Sequence, residues 1–194
     1  MSACIVCVSK YGATRKCAEM IAERLSAGTT ILDLGARRAV CLDRCDTVVI
    51  GGPIYGGTIH RRMVSFCRRN RKALLQKRVA LFISCAYQGE RAEEQLLHAY
   101  PDWLYVHAFA RRALGGELHM DKLKGLDRLL VARLTASQDT TFEEGVLRQG
   151  ASQQGPFKEG AFKEGSFTEG APRIDVEALE RLAEAVQDLH AGSG

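Results

Sequence analysis

The sequence predicts a doubly wound α/β sandwich, a parallel sheet covered by helices on both faces. Three observations carry that prediction. Short runs such as Ala3–Ser9, Asp46–Gly51 and Arg78–Ser84 are apolar almost throughout, as strands buried on both faces are. Stretches with helical spacing lie between them, so the two element types alternate. Glycine-bearing loops follow three of the strands.

Taken in order, Ala3–Ser9 is the first strand, and Gly12 interrupts it. Ala18, Ile21, Ala22 and Leu25 then recur at helical spacing. Thr30–Leu34 is a weaker strand, and Asp46–Gly51 is a strong one that runs into Gly51-Gly52-Pro53. A helix is expected from about Arg61 to Leu75, with Met63, Phe66, Cys67 and Leu74 on one side. Arg78–Ser84 is the next buried strand, Ala92–Ala99 reads as helix, and Trp103–Ala110 as the last strand. Lys122–Leu134 is amphipathic and basic. The final helix is expected over Val176–Leu189, with Asp175 as its N-cap.

Before that helix, Gly recurs at 145, 150, 155, 160, 165 and 170. The units read TFEEG, VLRQG, ASQQG, PFKEG, AFKEG and SFTEG. A period of five matches neither helix nor strand, and a glycine every fifth residue disfavours helix. The tract is read as a flexible or turn-rich pentapeptide insertion at 141–172 within a single domain spanning 1–194.

Composition narrows the function. The 194 residues suit about one domain, and 46% hydrophobic with 26% charged is ordinary for a soluble globular chain. No run approaches a membrane span, and no charged region precedes an apolar stretch at Met1-Ser2-Ala3-Cys4. A cytoplasmic protein is expected, and no nucleic-acid partner. The formal charge of +4 is mild, but its distribution is not. Arg61, Arg62, Arg68, Arg69, Arg71, Lys72, Lys77 and Arg78 fall in one stretch without an acid. That surface suits an anionic substrate, an acidic partner or peripheral contact with an anionic membrane surface. Seven cysteines at irregular spacing read as reduced thiols. Cys4 and Cys7 face opposite ways on a strand, and Cys41 and Cys45 have no second pair for zinc.

Three loops carry the chemistry. Ser9-Lys10-Tyr11-Gly12-Ala13-Thr14 joins the first strand to the first helix, where unpaired backbone N–H groups and the helix dipole favour an anion. Ser9 and Thr14 add hydroxyls. The loop lacks GxGxxG and the Gly-Lys-Ser/Thr ending of a nucleoside triphosphate loop, so a monophosphate is the better fit. Gly51-Gly52-Pro53-Ile54-Tyr55-Gly56-Gly57 follows the third strand, with Tyr55 able to lie against a planar ring and four glycines available for unusual torsions. Ser84-Cys85-Ala86-Tyr87-Gln88-Gly89 follows the fourth. All three are expected at one edge of the sheet, where open α/β sheets bind ligands. Cys85 reads as a packing residue rather than a catalytic thiol. His60 reads equally as a surface histidine or as a group at the ligand's edge.

The order of these loops resembles the flavodoxin-like proteins, which bind FMN. The S-x-x-G-x-T at 9–14 is similar to their phosphate loop. GGPIYG at 51–56 and SCAYQG at 84–89 are similar to the loops on either side of the flavin ring. VVIGGPIYGGTIHRRMVSFCRRNRKAL at 48–74 and FARRALGGELHMDKLKGLDRLLVARL at 109–134 resemble one branch in particular. That branch is akin to the menaquinone-dependent protoporphyrinogen dehydrogenase. Tyr11 stands where many flavodoxins have threonine.

The resemblance implies a five-stranded parallel sheet in the order 2-1-3-4-5, with a long insertion before the last helix. It implies FMN as cofactor. Ser9, Lys10, Tyr11, Gly12, Ala13 and Thr14 would lie at its phosphate. Pro53, Ile54, Tyr55, Gly56, Gly57, Ser84, Cys85, Ala86 and Tyr87 would lie about its ring. No catalytic side chain and no metal are expected. The implied function is an FMN-dependent oxidoreductase passing electrons or hydride equivalents to a redox partner or a quinone- or porphyrinogen-type molecule. The alternatives are a non-enzymatic electron carrier and a flavin-free module that docks a partner through its basic helix at 61–78.

Overall fold

Ile5, Val6 and Cys7 are wholly buried, which places the first strand inside the sheet rather than at its rim. The computed structural model describes residues 2–25, 28–36, 40–116 and 173–191. Their strands are β1 (Ala3–Cys7), β2 (Thr30–Asp33), β3 (Thr47–Tyr55), β4 (Thr58–Ile59), β5 (Arg78–Ser84) and β6 (Ala110–Ala113). The helices are α1 (Ala13–Arg24), α2 (Arg61–Arg69), α3 (Arg71–Leu74), α4 (Glu90–Ala99), α5 (Asp102–His107) and α6 (Val176–Ala191).

The sheet runs β2-β1-β3-β5-β6, all parallel, and β4 turns back antiparallel on β3. This is the expected five-strand order with a short hairpin added. Successive side chains point to opposite faces, so each strand feeds two cores. Val6, Ile50, Leu81 and Ile83 meet Met63, Phe66, Leu74, Leu96 and Leu104 on one side. Ile5, Val49 and Phe82 meet Cys17, Ile21, Leu179, Leu182 and Val186 of α1 and α6 on the other. Each such side chain, fully buried, contributes about 1.5–3 kcal/mol. Tyr100 ties α4 to the sheet: its buried hydroxyl lies 2.5 Å from the Phe82 carbonyl and 3.1 Å from that of Ile50. Burial pushes its pKa up, so the hydroxyl keeps the proton it donates.

Four sequence expectations change. Trp103–Ala110 is not the last strand. Residues 102–107 form α5, with Leu104 buried and Ala108 buried one turn on, and the strand comes later at Ala110–Ala113. The expected helix at 61–75 breaks at Asn70, whose φ of −101° and ψ of 17° leave the helical region. Gly51 and Gly52 serve steric needs rather than unusual torsions. Both lie inside β3, where a Cβ on Gly51 would sit 1.9 Å from the Phe82 ring and one on Gly52 2.9 Å from Ile59. Finally, Cys4 and Cys45 are paired as a disulfide across a sequence separation of 41, with Cα atoms 5.8 Å apart, well within the range for such a bond.

After β6 the chain returns to its own departure point. Gly115 bridges Ile174, and the Asp175 N–H donates to the Leu114 carbonyl at 2.9 Å. Asp175 then caps α6, accepting from the Ala178 N–H at 2.9 Å as expected. The amphipathic stretch 122–134 and the pentapeptide tract 141–172 lie outside the described residues. No helix among the described residues is long and apolar enough to cross a membrane.

Gly51→Ala drives a methyl into the Phe82 ring and is expected to cost about 1–3 kcal/mol in urea denaturation. Phe82→Leu in that background recovers part of the loss. Wild-type stability for Gly51→Ala would contradict this packing.

Candidate functional site at the carboxyl edge of the sheet

The parallel register decides where the loops emerge. Cys7 pairs with Gly51 and Gly51 with Phe82, so β1 ends level with Gly51, β5 ends level with Pro53, and β3 runs on to Tyr55. The three loops therefore open at one edge, as the sequence predicts. The structure brings Ser9–Thr14, the β3–β4 hairpin and Ser84–Tyr87 together there.

In the first loop, Gly12 takes φ 102° and ψ −25°, a left-handed conformation suited to glycine, and starts α1 with no side-chain cap. The Gly12 N–H donates to Ser9 Oγ at 3.0 Å, which shapes the turn. No acidic residue stands in the first turn of α1, so its positive end faces no carboxylate on its own helix. Thr14 is buried at 1% exposure, and its hydroxyl lies 2.6 Å from Ser84 Oγ. This bond ties the first loop to the end of β5. In this arrangement the Thr14 hydroxyl faces Ser84 rather than the loop mouth.

The second loop is mostly strand. Pro53 is buried and pairs with Ser84, and Ile54 pairs with Ile59. Gly56 and Gly57, at φ 55° and 76°, make the two-residue turn in which both positions need positive φ. That turn holds Tyr55 at the edge with 38% of its surface exposed. The Tyr11 and Tyr55 rings meet edge to face, 5.8 Å apart at 87°. Lys10 Nζ lies 5.0 Å from the Tyr11 centroid and 6.0 Å from that of Tyr55. Tyr11 therefore joins the two loops.

His60 closes the hairpin. Its N–H donates to the Pro53 carbonyl at 3.2 Å, and its Nδ1 accepts from the Arg62 N–H at 3.2 Å. Burial lowers its pKa, helped by the charges of Arg62 and Lys10. The ring is thus held neutral with Nδ1 as acceptor. Arg62 also reaches the Gly35 carbonyl at 3.4 Å.

In the third loop, Ser84 and Cys85 are buried, while Ala86 and Tyr87 are half-buried. The Cys85 N–H donates to the Gly115 carbonyl at 3.0 Å, and a Cβ on Gly116 would sit 3.2 Å from the Cys85 carbonyl. Burial pushes the Cys85 thiol up to about 11, against a smaller opposing hydrogen bond with the Tyr87 backbone. A thiol so held is a packing group, not a nucleophile. The Arg91 guanidinium stacks 5.1 Å from the Tyr87 centroid. Beyond Tyr87 lies a cleft of about 360 Å³ whose lining includes Gln88, Arg112, Asp175 and Arg181. Sequence reasoning missed Arg112. The available signal was the pair of arginines inside the apolar run FARRALGG. No cluster of three metal-ligating side chains occurs among the described residues.

The family model for the flavodoxin domain matches residues 4–143. Among solved structures, a WrbA-like flavodoxin from Agrobacterium tumefaciens is similar at 21% identity and TM-score 0.47, over 70% of this chain and 96% of that one. Flavodoxin 1 from Bacillus cereus is similar at 19% and 0.46, over 70% and 95%. The flavodiiron protein from Giardia intestinalis is similar at 15% and 0.43, over 50% of this chain, which spans only 26% of that protein. No curated protein sequence matches.

Two outcomes are expected. Thr14→Val strands the buried Ser84 hydroxyl and costs about 1–3 kcal/mol, while Thr14→Val with Ser84→Ala costs less than the sum of the two single changes. Strict additivity would contradict the coupling. In native protein at pH 8, iodoacetamide labels the exposed Cys41 first and leaves buried Cys85 intact, as read by peptide mass mapping. Equally fast labelling of Cys85 would contradict its burial.

Proposed function

The chain belongs to the flavodoxin-domain family, and from that premise we propose that it binds FMN and acts as an FMN-dependent oxidoreductase. The observation that supports this most is the convergence of three loops from adjacent strands, joined by the Thr14–Ser84 bond and the Tyr11–Tyr55 contact.

The residues present fit the group. The uncapped start of α1 and the open left-handed turn at Gly12 suit a phosphate, and a Cβ there would meet nothing within 4 Å. Ser9, Lys10, Gly12 and Ala13 would hold the phosphate, with Tyr11 and Thr14 bracing that loop. Ile54, Tyr55, Gly56, Gly57, Ala86 and Tyr87 would line the ring, with Pro53, Ser84 and Cys85 as buried supports. When bound, FMN supplies reversible one- and two-electron chemistry. The chain's own contribution is to position it and set the surrounding charge. Lys10 beside Tyr55, and Arg62 beside His60, favour an electron-rich ligand there. Neutral His60 adds an orienting contact without a further charge.

In the finer reading, a quinone- or porphyrinogen-type molecule exchanges electrons at this site, as in the dehydrogenase branch. The cleft beside Tyr87 supports a quinone there, since about 360 Å³ suits a small planar ring and Arg112 and Arg181 suit an anionic substituent. A plain electron carrier needs no such cleft.

The test is a visible absorption spectrum after incubation with FMN and removal of the excess. Wild type is expected to retain flavin with shifted bands, and then, supplied with an excess of a reduced donor, to pass its electrons to a soluble quinone over many cycles. Ser9→Ala with Gly12→Val is expected to weaken FMN at least about tenfold, or 1.4 kcal/mol. The valine strains a φ of 102° but its Cβ meets no atom within 4 Å, so the fold is expected to persist. Unchanged FMN affinity in this variant would contradict the phosphate assignment.

A further inference from the structure

The basic stretch that follows the Tyr55 hairpin is not absorbed by the proposed chemistry. On α2, Met63, Phe66 and Cys67 are buried, while Arg61, Arg62, Ser65, Arg68 and Arg69 are exposed. Arg71 and Lys72 continue the exposed surface on α3. Where these cations have contacts, they are not with carboxylates. Arg62 reaches the Gly35 carbonyl, and Arg71 stacks 5.3 Å from the Trp103 centroid. Arg61, Arg68, Arg69 and Lys72 make no hydrogen bond or ion pair among the described residues. The ion pairs between described residues lie on α1 and α6 or reach from α1 to Asp33. Asp102 shares a shallow groove with Arg68 and Arg71.

The first turn of α2 works against the helix, whereas Arg68 and Arg69 in its last turn suit the dipole. Arg61 and Arg62 occupy the first turn of α2, which has no acidic residue, so both oppose the helix dipole. Arg68, Arg69, Arg71 and Lys72 crowd like charge on either side of the break at Asn70. Neither feature helps the fold, and both are neutralised by an acidic surface laid across α2 and α3.

We propose that the α2–α3 face docks an acidic protein, the redox partner of the flavin site. The partner class rests on the proposed function; the docking does not. Position supports it, because α2 begins directly after the hairpin that presents Tyr55. A partner seated on Arg61 and Arg62 is therefore beside the ring loops. Chemistry favours a protein over a lipid surface. A membrane-bound helix inserts its apolar face, whereas that of α2 is spent on the sheet and the exposed large hydrophobic next to it is the single Leu75 at the end of α3.

The probe is acidic cytochrome b5, with basic cytochrome c and phosphatidylglycerol vesicles as comparisons. Binding is measured calorimetrically with and without FMN. Cytochrome b5 is expected to bind, with affinity falling at least tenfold between 20 and 200 mM NaCl. Arg68→Glu is expected to weaken it at least fivefold, and Arg68→Glu with Arg69→Glu at least tenfold. Arg24→Glu, on α1 across the sheet, is expected to stay within twofold. Circular dichroism confirms that each variant is folded. Cytochrome b5 binding in a protein that shows no calorimetric binding of FMN would uphold the docking face and overturn the flavin reading. Wild-type affinity in the folded Arg68→Glu, Arg69→Glu variant would overturn the docking face. So would vesicle binding without cytochrome b5 binding, or a preference for cytochrome c.

Discussion

The parallel register of β1, β3 and β5 is the constraint on which the rest depends. Pairing Cys7 with Gly51 and Gly51 with Phe82 leaves no freedom in where the three loops begin. A slip of one residue in β3 would move Val49 and Ile50 to the wrong cores. It would also lose the place where the Phe82 ring lies over a residue without a side chain. Gly51 thus serves the site indirectly, by allowing β3 and β5 to pack in the one register that brings Pro53 beside Ser84. The Thr14–Ser84 bond then fastens the first loop to the same edge.

Much of this was legible because the central strands are long, apolar and flanked by glycines. Ile5, Val49, Leu81 and their neighbours needed no tertiary information to be read as buried strands. Trp103–Ala110 was misread for the opposite reason. Seven of its eight residues are apolar or aromatic, so helical and strand periods both fit. Pro101 and Asp102 at its head were the signal for a helix start. The true strand, Ala110–Ala113, carries two arginines, and only its pairing with β5 reveals it.

The site was legible as a set of loops but not as a set of contacts. The spacing of Ser9, Gly12 and Thr14 pointed to an anion, yet the Thr14 partner lies 70 residues away in sequence. The glycines at 51 and 52 drew attention to the right segment for the wrong reason, since pairing and packing there are tertiary facts. The lowered pKa of His60 and the raised pKa of Cys85 likewise come from burial and neighbours that no local pattern encodes. The disulfide between Cys4 and Cys45 arises from strand β1 meeting the segment before β3.

The most direct test of the central claim is a residue-resolved map of flavin contact. Backbone amide shifts of isotopically labelled protein, followed during FMN addition, would provide it. The account predicts saturable changes centred on Gly12, Ala13, Tyr55, Gly56 and Tyr87, with the amino edge of the sheet near Arg78 unmoved. Changes centred elsewhere, or none at all, would contradict a site built from the ends of these three strands.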